Sequence, residues 1–164
     1  KKGVNRFKWD MRHRGSWNKN SRFSYRNGPL VKPGIYKVVL TIDGKSFTEN
    51  FEIMSDPRIE DLTYEIYEEQ ERVLLEIRDF MTDVRVFENE VSKMLEKKPK
   101  NKNLISLDKK LNTNEGTYMQ PMLIDQIRYL QSMLSRADQK PGKDVYNRLR
   151  ELKLEFNVLK DKLG

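Results

Sequence analysis

The sequence predicts an α+β chain, with a small β-domain over residues 1–55 and a helical bundle over residues 56–164. Three observations carry this. Apolar residues alternate on both sides of an Asp-Gly dipeptide at 43–44. An apolar stripe in steps of three and four runs through residues 58–98 without Pro or Gly. Two shorter stripes of the same period follow it.

The first element is a predicted strand over residues 5–12, where Phe7, Trp9 and Met11 alternate with charged residues. Residues 13–28 have no period and read as a long loop. Gly28-Pro29 and Pro33-Gly34 then lead into the clearest signal in the chain. Tyr36, Val38, Leu40 and Ile42 alternate up to Asp43-Gly44, and Phe47, Phe51 and Ile53 return on alternate positions. Asp-Gly suits a type I′ turn, whose two central residues need positive φ, so this is a β-hairpin. Trp9, Tyr36, Val38, Leu40 and Phe51 are expected to be buried together. Three strands are too few for an independent sandwich, and the expectation is that further strands precede Lys1 in a longer parent chain.

The long helix is predicted over about 57–98. Ser55-Asp56-Pro57 reads as its start, with Asp56, Glu60 and Asp61 near the positive end of its dipole. Its stripe is Leu62, Ile66, Val73, Ile77, Phe80, Val84, Phe87, Val91 and Met94, with Gln70 at the one polar gap. A linker spans 99–120 and includes a stretch at 104–111 able to form a short helix. Helices follow at about 121–139 (Leu123, Ile127, Leu130, Leu134) and 143–163 (Val145, Leu149, Leu152, Phe156, Leu159, Leu163). Short connections favour antiparallel packing within the chain; a coiled-coil dimer is the competing use of the same stripe.

Composition narrows the chemistry. The absence of Cys excludes a disulfide framework, a thiolate metal site and a cysteine nucleophile. A single histidine, His13, leaves few His-based metal sites or triads, and it reads as a surface loop residue. No apolar run approaches the ~20 residues of a membrane span. No GxGxxG, Walker A, HExxH, EF-hand or GxSxG motif occurs. The chain is therefore expected to have no catalytic residue, cofactor or metal of its own. Glu65, Glu68, Glu69, Glu71 and Glu76 read as a solvated helix face, and Asp79 with Asp83 is too sparse a set for a cation.

Charge is unevenly distributed. Residues 1–54 hold 12 Lys/Arg and 4 Asp/Glu, residues 55–98 hold 7 and 13, and residues 99–164 hold 13 and 8. The first two segments can face each other. The candidate interaction surface is the basic, aromatic loop bearing Arg12, Arg14, Trp17, Arg22, Phe23, Tyr25 and Arg26. Such a mixture serves as cover for its own domain, as a protein or glycan contact, or as a stacking platform for nucleic acid. The last is disfavoured because no nucleic-acid motif accompanies it.

Three stretches carry a resemblance: residues 3–12, residues 28–44 with Pro33-Gly34-Ile35-Tyr36, and Asp56-Pro57-Arg58 leading to the helix. Thr117-Tyr118-Met119-Gln120-Pro121 with Leu123 and Gln126 fits as well. The chain resembles the C-terminal region of large secreted Asp-box proteins of Bacteroidota, often labelled glycosyl hydrolase or sortilin-like. In that family a β-propeller is followed by an Ig-like domain, similar to that of flagellar hook-capping proteins, and a helical tail. The resemblance implies that residues 1–55 are part of an Ig-like sandwich. It also implies export to the periplasm or cell surface of a Gram-negative bacterium. No Ser-x-Asp-x-Gly Asp-box occurs in this chain, so the hydrolase label does not carry over to these residues. The expected role is a non-catalytic accessory or scaffold whose partner is another envelope protein or upstream domains of its parent chain. The alternatives are the tail of a glycan-cleaving hydrolase whose catalytic residues lie outside the chain, and an electrostatic binder of acidic glycan or nucleic acid.

Overall fold

A computed structural model describes residues 3–59 and 61–163. Its elements are a two-stranded antiparallel hairpin, β1 (Gly34–Ile42) and β2 (Lys45–Ile53), then α1 (Tyr64–Lys97), α2 (Lys102–Leu111), α3 (Leu123–Leu134) and α4 (Lys143–Asp161). The architecture is thus mixed α+β.

The hairpin register runs from Ile42 opposite Lys45 to Gly34 opposite Ile53. Asp43 (φ 48°) and Gly44 (φ 78°) are both left-handed, as a type I′ turn requires. Period 2 places Tyr36, Val38, Leu40, Ile42, Phe47 and Phe51 on one face.

The predicted strand at 5–12 is absent. Met11 adopts φ 57° and the Trp9 indole Nε1 donates to Arg12 O at 3.1 Å, so the chain turns where a strand would continue. Trp9 still reaches the hairpin: its ring lies 5.7 Å from Tyr36 and 6.1 Å from Phe51, centroid to centroid.

The long helix begins at Tyr64, not near Pro57. The Asp56 carboxylate accepts from the backbone N–H of Arg58 at 3.0 Å and grips its guanidinium, closing a local turn that competes with helix. That contact holds the Asp56 carboxyl down at about 2. Leu62 and Asp61 therefore precede the helix, and Glu65 supplies the acidic first turn. Glu60, also expected there, lies outside the described residues. At 34 residues, α1 is about 50 Å long.

The core lies between the four helices. Val73, Ile77, Phe80, Val84, Phe87 and Val91 of α1 are buried against Leu123, Ile127, Leu130 and Leu134 of α3 and Leu149, Leu152, Phe156 and Leu159 of α4. Phe156 meets Phe80 and Phe87 edge-on, at 5.8 and 5.5 Å between centroids, a geometry aromatic quadrupoles favour. From Val73 to Val91 the α1 stripe is covered within one chain, whereas Met94 at its far end is exposed. The segment expected as linker contains α2, which Asn101 starts by accepting from the N–H groups of Asn103 and Leu104, and which buries Leu104, Leu107 and Leu111. The helix expected over 121–139 ends at Leu134, where Gln70 caps its last carbonyl and holds the chain beyond it. Gln70 Nε2 donates to Leu134 O and Ala137 O, both at 2.8 Å.

Candidate interaction surface

The basic, aromatic loop folds into a strap, residues 11–31, lying along the polar side of α1. It is an irregular antiparallel ribbon. His13 N donates to Pro29 O, Val31 N to Met11 O, Gly15 N to Tyr25 O and Tyr25 N to Ser16 O, all at 2.9–3.0 Å. A Cβ at Gly15 would stand 1.9 Å from Arg26 O, and one at Gly28 would stand 2.2 Å from His13 O. These two glycines allow the backbones to touch. Tyr25 (φ 59°) and Asn27 (φ 54°) take left-handed conformations to complete the return.

Five side chains of α1 receive the strap: Glu71, Arg78, Thr82, Arg85 and Glu88. Their spacing of 7, 4, 3 and 3 puts them on one side of the helix. Glu71 Oε1 lies 2.8 Å from His13 Nε2 and accepts from Lys32 N at 2.9 Å. Arg78 donates to Arg14 O at 3.1 Å. Thr82 Oγ1 accepts from Trp17 N at 3.1 Å. Arg85 Nη1 donates to Ser16 Oγ at 2.8 Å and Trp17 O at 3.2 Å, and Lys19 pairs with Glu88 at 3.4 Å. The basic first segment and the acidic helix thus face each other. The Lys32 ammonium is raised above its ordinary range, first by its hydrogen bond to Glu68 and then by Tyr64.

The strap divides the seven residues singled out from the sequence. Arg12 donates to Gly28 O at 3.0 Å, and Trp17 is half-buried against α1. Arg14 stacks on the Tyr25 ring at 4.5 Å, a cation–π contact within the chain. Arg22, Phe23 and Arg26 stay exposed at the tip, with the Tyr25 ring beside them.

His13 is not an isolated surface residue, because Glu71 holds it. Nor are the α1 glutamates merely solvated. Glu68 takes Lys32 at 2.5 Å, Glu76 takes Lys153 at 2.6 Å and Glu69 accepts from the Tyr146 hydroxyl. Burial and then Glu69 push the Tyr146 phenol upward. Among the described residues no group of three or more His, Cys, Asp or Glu could hold a metal ion, and no helix is long and apolar enough to cross a membrane.

The second surface is the hairpin, whose alternating apolar residues predict a buried face. Val38 is 49% exposed, Leu40 57%, Ile42 51% and Phe47 58%; Trp9, at 38%, covers only the end near Tyr36 and Phe51. No second layer covers this face among the described residues, which is why the expected burial fails. In a two-residue hairpin the pair flanking the turn is hydrogen-bonded, so the backbone groups of Ile35, Lys37, Val39 and Thr41 point outward along the free edge of β1. Apart from Lys37 these residues are β-branched, whereas the β2 edge (Ser46, Thr48, Asn50, Glu52) is polar.

No protein-family model, curated protein or solved structure matches the chain.

Proposed function

We propose that this chain is a non-catalytic docking and scaffolding region. Its hairpin completes a β-sandwich of Ig-like type with strands supplied by other parts of a parent chain or by another envelope protein. The helical bundle is the rigid mount. The exposed apolar face of the hairpin is the observation that carries this reading. Two strands alone form a marginal structure in water, and a row of Val, Leu, Ile and Phe on one face of a sheet is the pattern of a layer meant to be covered. Bare β edges are ordinarily paired, shortened or charged, and the β1 edge is long and mostly β-branched. The location at the surface or periplasm of a Gram-negative bacterium rests on the sequence resemblance alone.

A photo-crosslinking residue at Phe47, introduced into the protein in its native host, tests this. The expected products join Phe47 to an extended, apolar segment of the same polypeptide or of one defined partner. Thr48, on the opposite face, should give little product. Equal yields from the two positions contradict the reading.

A further inference from the structure

Away from the hairpin, and independent of its role, four parts of the fold meet around a cavity of about 160 Å³. Lys19 reaches it from the strap, Arg85 from α1 and Arg128 from α3, while Asn112 lines it at the end of α2 and Trp17 forms a wall. Glu88 is the one carboxylate in that lining, and it is already engaged by Lys19 at 3.4 Å and by Ser92 Oγ at 2.9 Å.

Arg85 is the group left unbalanced. It is partly buried and its hydrogen bonds go to two neutral oxygens, Ser16 Oγ and Trp17 O. Among the described residues it has no carboxylate in ion-pair contact. Burial, and then the positive charge of Arg128, disfavour its protonated form, and the negative charge of Glu88 offsets them in part. Arg128 is bonded to Asp125 at 2.5 Å, outside the cavity lining. A partly buried guanidinium that bonds only to neutral oxygens, faces a second cation and shares the attraction of Glu88 with Lys19 is incompletely balanced until an anion arrives.

We propose that this cavity is a phosphate-binding site, with the phosphate group held between Arg85 and Arg128 and Lys19 at its edge. Three cations stand against Glu88 in the lining and Asp125 beside Arg128, leaving +1, which attracts an anionic phosphate. Guanidinium forks match its tetrahedral oxygens, and Asn112 adds a neutral polar group. The cavity is well below the ~300 Å³ of small-molecule pockets, so it takes the phosphate group and not an attached base or sugar. Inorganic phosphate and the phosphoryl end of a small monoester share this chemistry.

The test is calorimetric titration of the intact chain with inorganic phosphate, and separately with phenyl phosphate, at ionic strength held constant with chloride. Saturable binding is expected. Arg128→Gln should weaken it about tenfold or more. Arg150→Gln, a charge change on α4 away from the cavity, should leave it unchanged. Binding of phosphate alone indicates a site for the free ion; binding of both indicates a site for a phosphoryl group. Arg128 is exposed, so its replacement should fold, and circular dichroism of each variant checks this. Absence of saturable binding by either probe, or equal affinities in Arg128→Gln and Arg150→Gln, overturns the proposal. Should Arg128→Gln fail to fold, Lys19→Gln replaces it and is expected to weaken binding at least severalfold, an unchanged affinity again overturning the site.

Discussion

His13 Nε2 and Glu71 Oε1 lie 2.8 Å apart across 58 residues of sequence, and this pair fastens the strap to the long helix. The same Glu71 oxygen accepts from the backbone N–H of Lys32, where the strap passes into the hairpin. One partly buried carboxylate therefore fixes both the strap and the base of β1.

Glu71→Ala removes both hydrogen bonds and leaves the Lys32 N–H without its acceptor. The expected cost is about 1–3 kcal/mol. Trypsin should cut faster after Arg22 and Arg26 as the strap lifts, while the helical signal in circular dichroism stays intact. An unchanged cleavage rate would mean the strap is held elsewhere.

Gln70 occupies the one polar gap in the α1 stripe, and it is buried there because it binds the carbonyls of Leu134 and Ala137 while its own Oε1 accepts from Gln139 N at 3.3 Å. Gln70→Leu would complete the stripe in sequence yet orphan the Ala137 carbonyl and the Gln139 N–H, and leave Leu134 O with only Gln139 Nε2 at 3.3 Å. It should lose about 2–4 kcal/mol in chemical denaturation rather than gain stability. A neutral or stabilising outcome would show that solvent replaces the amide at no cost.

The helical half was largely legible because helix periodicity reports burial directly. The stripe from Val73 to Val91 and those of α3 and α4 appear in the sequence and in the core. The start of α1 was misplaced because Asp56-Pro57 has the chemistry of a helix start and of a side-chain-closed turn alike. Only the Asp56–Arg58 contact distinguishes them. The strap was illegible for another reason. Its order comes from partners 58 to 69 residues away, and no local period records that Glu71, Arg78, Thr82, Arg85 and Glu88 share one side of α1. Gly15 and Gly28 were the available local signals, since paired glycines in an aperiodic basic loop mark close backbone approach.

Trp9 looks from its alternation like a core residue, but it packs on Tyr36 and Phe51 at an exposed end of the hairpin. Trp9→Ala should therefore cost about 1 kcal/mol, the worth of an aromatic pair, and not the ~3–5 kcal/mol of a core truncation. Thermal denaturation of the isolated chain separates the two. The larger figure would mean that the hairpin end is more deeply covered in solution.

Asp56 provides a pH readout. Its carboxyl is lowered to about 2, chiefly by the side-chain hydrogen bond from Arg58 and then by the backbone N–H of the same residue. A depressed carboxyl supports the fold above the ordinary carboxylate range and loses that support as pH falls towards 2. The Asp56 resonance should titrate near 2 in the wild type, and Arg58→Ala should move it up towards the ordinary 3.8. A wild-type midpoint already near that value would show that the Asp56–Arg58 turn does not persist in solution.

Amide hydrogen exchange along the outer edge of β1 tests the docking role most directly. Ile35, Lys37, Val39 and Thr41 should exchange rapidly in the isolated 164-residue chain, because their N–H groups face away from β2. In the same chain purified from its native host with the polypeptide that crosslinks through Phe47, they should be protected by about a hundredfold or more, as inter-strand amides are. The core amides of α1 and α3 should be unchanged between the two samples. Rapid exchange at these four positions in both samples would contradict the account, leaving the hairpin as a free surface rather than the unfinished half of a sandwich.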